Sequence, residues 1–126
     1  MPARKVIRPD ATGPYSSGLV VDGWVYLSGQ GGFDPETGEL PVGIAAQTAQ
    51  TIENIAALLE EAGCSLKDVV SCLVHIADLD HFDELNRVYE GYFEPPRPVR
   101  TTVRADLVRG MLVEITVVAR VRRSDG

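Results

Sequence analysis

Two charged side chains stand where an extended chain has little structural use for them. Arg100 follows Pro95, Pro96 and Pro98, and Glu114 lies between Val113 and Ile115 in an apolar run. Proline restricts the backbone, so the segment before Arg100 delivers its side chain to a defined place. A guanidinium fork binds a carboxylate through two parallel, charge-assisted hydrogen bonds. A carboxylate in mid-strand is disfavoured by β-propensity and needs either a partner or a task, such as orienting or deprotonating a water. Each residue also has a plainer reading. Arg100 fits an ion pair at an oligomer interface, and Glu114 fits an ion pair with Arg104. Tyr15 follows Gly13-Pro14, and Ser28-Gly29-Gln30 closes a β-rich run, where glycine permits close backbone approach to a ligand. A loop tyrosine and a Ser-Gly turn are equally compatible with simple packing.

The elements that must position these groups are legible from periodicity. Residues 4–8 form a short extended candidate. Residues 19–22 and 24–28 are β-rich, and Asp22-Gly23 between them is a tight-hairpin signal. Residues 29–43 read as loop, with turn chemistry at Asp34-Pro35 and Thr37-Gly38. Ile44, Thr48, Ile52, Ile55, Leu59 and Ala62 recur at helical spacing, and Gly63 supplies a stop. Residues 69–77 are apolar at nearly every position, as in a strand inside a sheet. Asp80 is placed to cap a second helix over residues 82–93, which the prolines end. The last strands span 101–107 and 112–121. The order β-β-β-α-β-α-β-β predicts an α+β fold in a single domain, a six-stranded mixed sheet with two helices on one face.

Alternation assigns the sheet faces. Val113, Ile115, Val117 and Ala119 suit the helix side, as do Val103, Ala105 and Leu107. Arg100, Thr102 and Arg104 are then expected on the other face with Glu114. If the final two strands form a tight hairpin, Arg104 neighbours Glu114, and Arg100 lies roughly 13 Å further along. Two groups that far apart in one chain cannot clamp one small molecule, so a shared site would need a second subunit. The mixed character of the second face also points to homo-oligomer packing.

Composition narrows the function classes. The 126 residues carry a net charge of −6, without the basic stripe that a nucleic-acid partner calls for. No apolar run approaches membrane-spanning length, and residues 1–10 do not read as a secretory signal. Cys64 and Cys72 read as reduced, partly buried thiols of a cytoplasmic protein, and His75 and His81 lack metal-ligand spacing with each other or with them.

Together these pieces resemble the RidA/YjgF family of reactive-intermediate deaminases. The matching stretches run along nearly the whole chain: Gly13-Pro14-Tyr15-Ser16, Ser28-Gly29-Gln30, Gln47, Gln50 and Asn54, Asn86 with Val88, Tyr89 and Phe93, then Pro98-Val99-Arg100 and Val113-Glu114-Ile115. The resemblance implies a chorismate-mutase-like trimeric barrel with sites in the clefts between subunits. It implies hydrolysis of 2-aminoacrylate, 2-iminobutanoate and related enamine or imine acids to keto acids and ammonia, with no cofactor and no metal. By motif position, Arg100 takes the role of carboxylate-binding arginine and Glu114 that of water-positioning glutamate. Tyr15, Ser28, Gly29, Asn86 and Thr102 fall where the family lines its pocket, Thr102 standing where many relatives carry cysteine. Ser17-Gly18 replaces a usual Gln-Ala, Val99 a smaller residue, and Thr116 a second acidic one. The first two changes bear on pocket size. A non-catalytic protein that captures a small carboxylate, and a deaminase of a larger enamine acid, are the alternatives.

Overall fold

The computed structural model describes residues 3–9 and 11–122, so Met1, Pro2 and Asp10 of the N-terminal reading lie outside the described residues. Six strands are present: β1 (Arg4–Ile7), β2 (Gly18–Val21), β3 (Trp24–Leu27), β4 (Val69–Ile76), β5 (Val99–Arg104) and β6 (Val113–Arg120). Two α-helices, α1 (Ile44–Glu61) and α2 (Phe82–Tyr92), are inserted in the expected order. The strands make one mixed sheet in the order β1-β2-β3-β6-β4-β5, parallel only between β4 and β5.

Local chemistry explains the elements. Asp22 and Gly23 both take positive φ, 53° and 81°, as a primed two-residue hairpin between β2 and β3 requires. Helix α1 buries Ile44, Thr48, Ile52, Ile55 and Leu59, a stripe at three- and four-residue spacing. It stops at Gly63, whose φ of 81° allows the Gly63 N–H to reach the Glu60 carbonyl and the Cys64 N–H to reach that of Leu59. The second helix starts differently from expectation. Asp78 caps a short 3-10 turn, Leu79–His81, by accepting from the Asp80 N–H, and α2 continues from that turn without a side-chain cap of its own.

The core lies between the helices and one sheet face. Val74, Val113, Ile115 and Val117 pack there with Ile52, Ile55, Leu59 and Leu85, all essentially inaccessible to solvent. Each such side chain contributes about 1.5–3 kcal/mol by leaving water.

The final two strands do not form a hairpin. Helix α2 carries the chain back from β4 into a parallel β5, as a crossover connection allows. Residues 105–112 then pass over the end of β4, fastened by bonds from the Ala105 N–H to the Ile76 carbonyl and from the Ala77 N–H to that of Leu112. Strand β6 enters on the far side of β4, antiparallel to it. Arg104 is therefore level with Ile76 on the helix side, and Glu114 is level with His75 on the opposite side. The expected Arg104–Glu114 neighbourhood is absent.

The face assignment of β5 is reversed as well. Register pairs Arg100 with Cys72 and Thr102 with Val74, both core residues, so Arg100, Thr102 and Arg104 face the helices. Val103, expected inside, pairs with His75 on the open face. Apolar pattern misleads here because α2 offers this edge strand a polar and aromatic niche instead of an apolar one. The open face consequently displays Tyr26, Leu73, Val99 and Val103, which are 50%, 38%, 72% and 40% exposed.

Candidate functional site

Arg100 is held from one side of α2. Its Nη2 donates to Asn86 Oδ1 at 2.6 Å and its Nε donates to Thr102 Oγ1 at 2.9 Å. The guanidinium carbon stands 4.7 Å from the Tyr89 ring centroid and 5.7 Å from that of Phe82. Phe82, Asn86 and Tyr89 are spaced by four and three residues, so one helical stripe builds all of the cradle but Thr102. Both hydrogen-bond partners are neutral, and among the described residues Arg100 forms no ion pair. Beneath it, burial pushes the Cys72 thiol up, against the opposing pull of the Tyr89 hydroxyl and the Arg100 charge. Burial likewise raises the Tyr89 hydroxyl, with Cys72 adding to the effect. Both groups stay neutral near pH 7, so the cradle fixes the cation without compensating its charge.

Glu114 sits on the other face of the sheet. Its Oε1 is 3.8 Å from His75 Nδ1 across the β4–β6 pairing. On its other side lies Gly29. A Cβ there would stand 2.7 Å from the Glu114 carboxyl carbon and 2.9 Å from Oε1, so any other residue would displace the carboxylate. The loop carrying Gly29 is tied to β6 by the Gln30 N–H to Ile115 carbonyl bond (2.9 Å) and its reciprocal (3.0 Å). Ser28 donates through Oγ to the Ser16 carbonyl and through its backbone N–H to that of Ser17, which anchors the Tyr15 segment. Asn54 on α1 donates to the carbonyls of Gly31 and Phe33, at 3.0 and 2.8 Å. Gln47 donates to the Pro41 carbonyl and accepts from the Leu112 N–H.

These ties shape a hollow of about 310 Å³ whose lining includes Tyr15, Gly29, Arg109 and Glu114. The sequence-selected residues therefore divide into two groups. Arg100, Asn86 and Thr102 meet on the helix face of the β5 edge, and Tyr15, Gly29 and Glu114 meet on or beside the open face. Ser28 braces the second group without lining the hollow.

Sequence reasoning missed Phe82 and Tyr89 as the aromatic bed of Arg100. Their spacing with Asn86 was a usable signal. It also missed His75 beside Glu114, because the hairpin assumption put Arg104 there. Among the described residues, no group of three or more His, Cys, Asp or Glu could hold a metal ion, and no helix is long and apolar enough to cross a membrane. Cys64 and Cys72 are free and buried, in line with the thiol reading.

Comparison with known proteins adds the relatives. Residues 6–121 match the family described as endoribonuclease L-PSP. A RutC family protein of Saccharolobus solfataricus is 46% identical over 115 residues, covering 89% of this chain and 90% of the relative. The mouse 2-iminobutanoate/2-iminopropanoate deaminase is 40% identical over 122 residues, covering 92% of this chain and 90% of the relative. The crystal structure of RidA from an Antarctic Psychrobacter superposes with a TM-score of 0.89 at 43% identity, covering 93% of this chain and 99% of that one. With a family match across most of its length and relatives at 40% identity or more in both sequence and structure, the chain belongs to the endoribonuclease L-PSP family, also called YjgF/RidA.

Proposed function

We propose that the protein hydrolyses small 2-imino and 2-enamine acids, such as 2-iminobutanoate and 2-aminoacrylate, to 2-keto acids and ammonia. The observation that carries this reading is Arg100, a guanidinium oriented by two neutral side chains and two rings and left without a carboxylate of its own. Such a group is prepared for an external carboxylate. Relatives named as 2-iminobutanoate/2-iminopropanoate deaminases support the substrate class.

Arg100 and Glu114 lie on opposite faces of one sheet, so a single chain does not present both to one small molecule. The reading therefore places the site between copies, Arg100 from one and the Tyr15–Gly29–Glu114 hollow from the next. A homotrimer in the cytoplasm is the assembly it calls for, and the apolar open face supplies surface for it. Arg100 pairs with the substrate carboxylate, and Asn86 and Thr102 hold the arginine in line. The enamine tautomerises to the imine. Water attacks C2 of the protonated imine while Glu114 takes one of its protons; returned to nitrogen, that proton makes ammonia the leaving group, and the carbonyl forms as the hydroxyl proton passes to the departing ammonia. Such imines hydrolyse slowly unaided, and each tenfold gain needs only about 1.4 kcal/mol, which positioning and one general base can supply. No cofactor enters this scheme.

The test is release of ammonia and keto acid from freshly generated 2-iminobutanoate. Arg100→Ala should lose about a hundredfold or more in kcat/KM with its assembly intact. Loss of assembly in that variant would recast Arg100 as an interface ion pair, and no turnover by the wild type would leave a carboxylate-binding protein. The family description names a ribonuclease, but a net charge of −6 opposes the approach of a phosphate backbone.

A further inference from the structure

We propose that His75 is a positioning residue for Glu114, holding its carboxylate in the orientation from which it takes a proton. This rests on the deaminase reading of Glu114. Three observations support it. The pairing of β4 and β6 sets His75 directly opposite Glu114, so both side chains leave the sheet on the same side. The His75 Nδ1 is buried and has no hydrogen-bond partner among the described residues, while Glu114 Oε1 lies 3.8 Å from it. That distance is beyond a hydrogen bond but within reach of a small side-chain rotation. An unpaired buried ring nitrogen is costly, which favours that rotation. Val103, the residue paired with His75 on β5, offers no polar group, so the carboxylate is the acceptor that the sheet provides.

The third observation is the opposite wall. Gly29 flanks Glu114 from the β3 side, where an added Cβ would crowd the carboxyl carbon and Oε1. Between a glycine backbone and an imidazole, the carboxylate keeps one oxygen toward His75. Glu114 also lines the hollow with Tyr15, so a bond to Oε1 would leave Oε2 for it. An N–H donated from His75 to Oε1 would fix that division of labour, much as an outer hydrogen bond orients a ligating side chain. His75 then acts on the reaction only through Glu114.

The test is a double-mutant cycle on 2-iminobutanoate turnover, with His75→Leu, Glu114→Gln and the pair. His75→Leu should lower kcat about tenfold with KM within twofold, because the substrate carboxylate is held elsewhere. In the Glu114→Gln background the same change should do almost nothing. His75→Gln, which keeps a donor, should recover part of the loss. Equal effects of His75→Leu in both backgrounds, or a loss confined to KM, would overturn the assignment. An activity-free readout separates this from failure of the deaminase reading. The ring ¹⁵N resonances of His75 should move on Glu114→Gln even if no imine is turned over, and unmoved resonances would overturn the pairing.

Discussion

At the residue scale, the protein handles its two key charges in different ways. Arg100 is surrounded by neutral oxygens and aromatic faces, which orient it without quenching its charge. Glu114 is confined by what is missing beside it, the side chain of residue 29. Gly29→Ala therefore makes a sharp test. The new methyl group would push the carboxylate aside, and kcat should fall by up to about a hundredfold, the scale of a 1 Å misplacement. Steady-state kinetics beside a thermal melt would check this, with the melt expected to change little. Arg100 and Glu114 stand out in the sequence as candidates, because a charge after three prolines and a charge inside an apolar strand are each out of place. Their surroundings were not. His75 stood in an apolar run with nothing nearby in sequence to mark it, and only the insertion of β6 beside β4 makes it a neighbour of Glu114.

At the element scale, the loop after β3 depends on side chains from α1. Asn54 alone satisfies two loop carbonyls, and Asn54→Ala should cost about 1–3 kcal/mol, measured by denaturant unfolding, together with a rise in KM as the hollow loosens. Another element-level device lies at the entrance to β4. Burial would raise the Asp68 carboxyl, yet hydrogen bonds from Arg122 and the Ser65 backbone, with the Arg122 charge, bring it below the usual carboxylate range. A carboxyl lowered in the folded state adds stability above its unfolded value and loses it as pH falls through the folded value. Melts from pH 7 down to pH 2 should show part of the acid destabilisation vanish in Arg122→Ala, whose melting temperature at pH 7 is already lower. An unchanged acid slope would remove this bridge from the account. Element order, both helices and the Asp22-Gly23 hairpin were readable because periodicity and turn residues are local signals. The pairing of β5 was not. A short connection looked like a hairpin, whereas the crossover through α2 dictates a parallel partner. The alternation of Val103, Ala105 and Leu107 also pointed the wrong way, since the niche that receives Arg100 is made by another element.

At the scale of the whole molecule, the reversal of β5 strengthens the case for a shared site. The sequence argument for two subunits rested on a separation along one face, and that premise fails. The proposal of a shared site rests instead on the sheet that stands between Arg100 and Glu114. The exposed apolar side chains of the open face, including Tyr26 and Val99, add a reason for copies to associate. The most direct measurement is complementation between inactive chains. Arg100→Ala and Glu114→Gln proteins, each strongly impaired alone, are unfolded together, refolded at equal concentration and assayed on 2-iminobutanoate. If every site takes its arginine from one copy and its glutamate from the next, random mixing restores about a quarter of the wild-type activity. Mixed assemblies that form and remain as inactive as their parents would contradict the account.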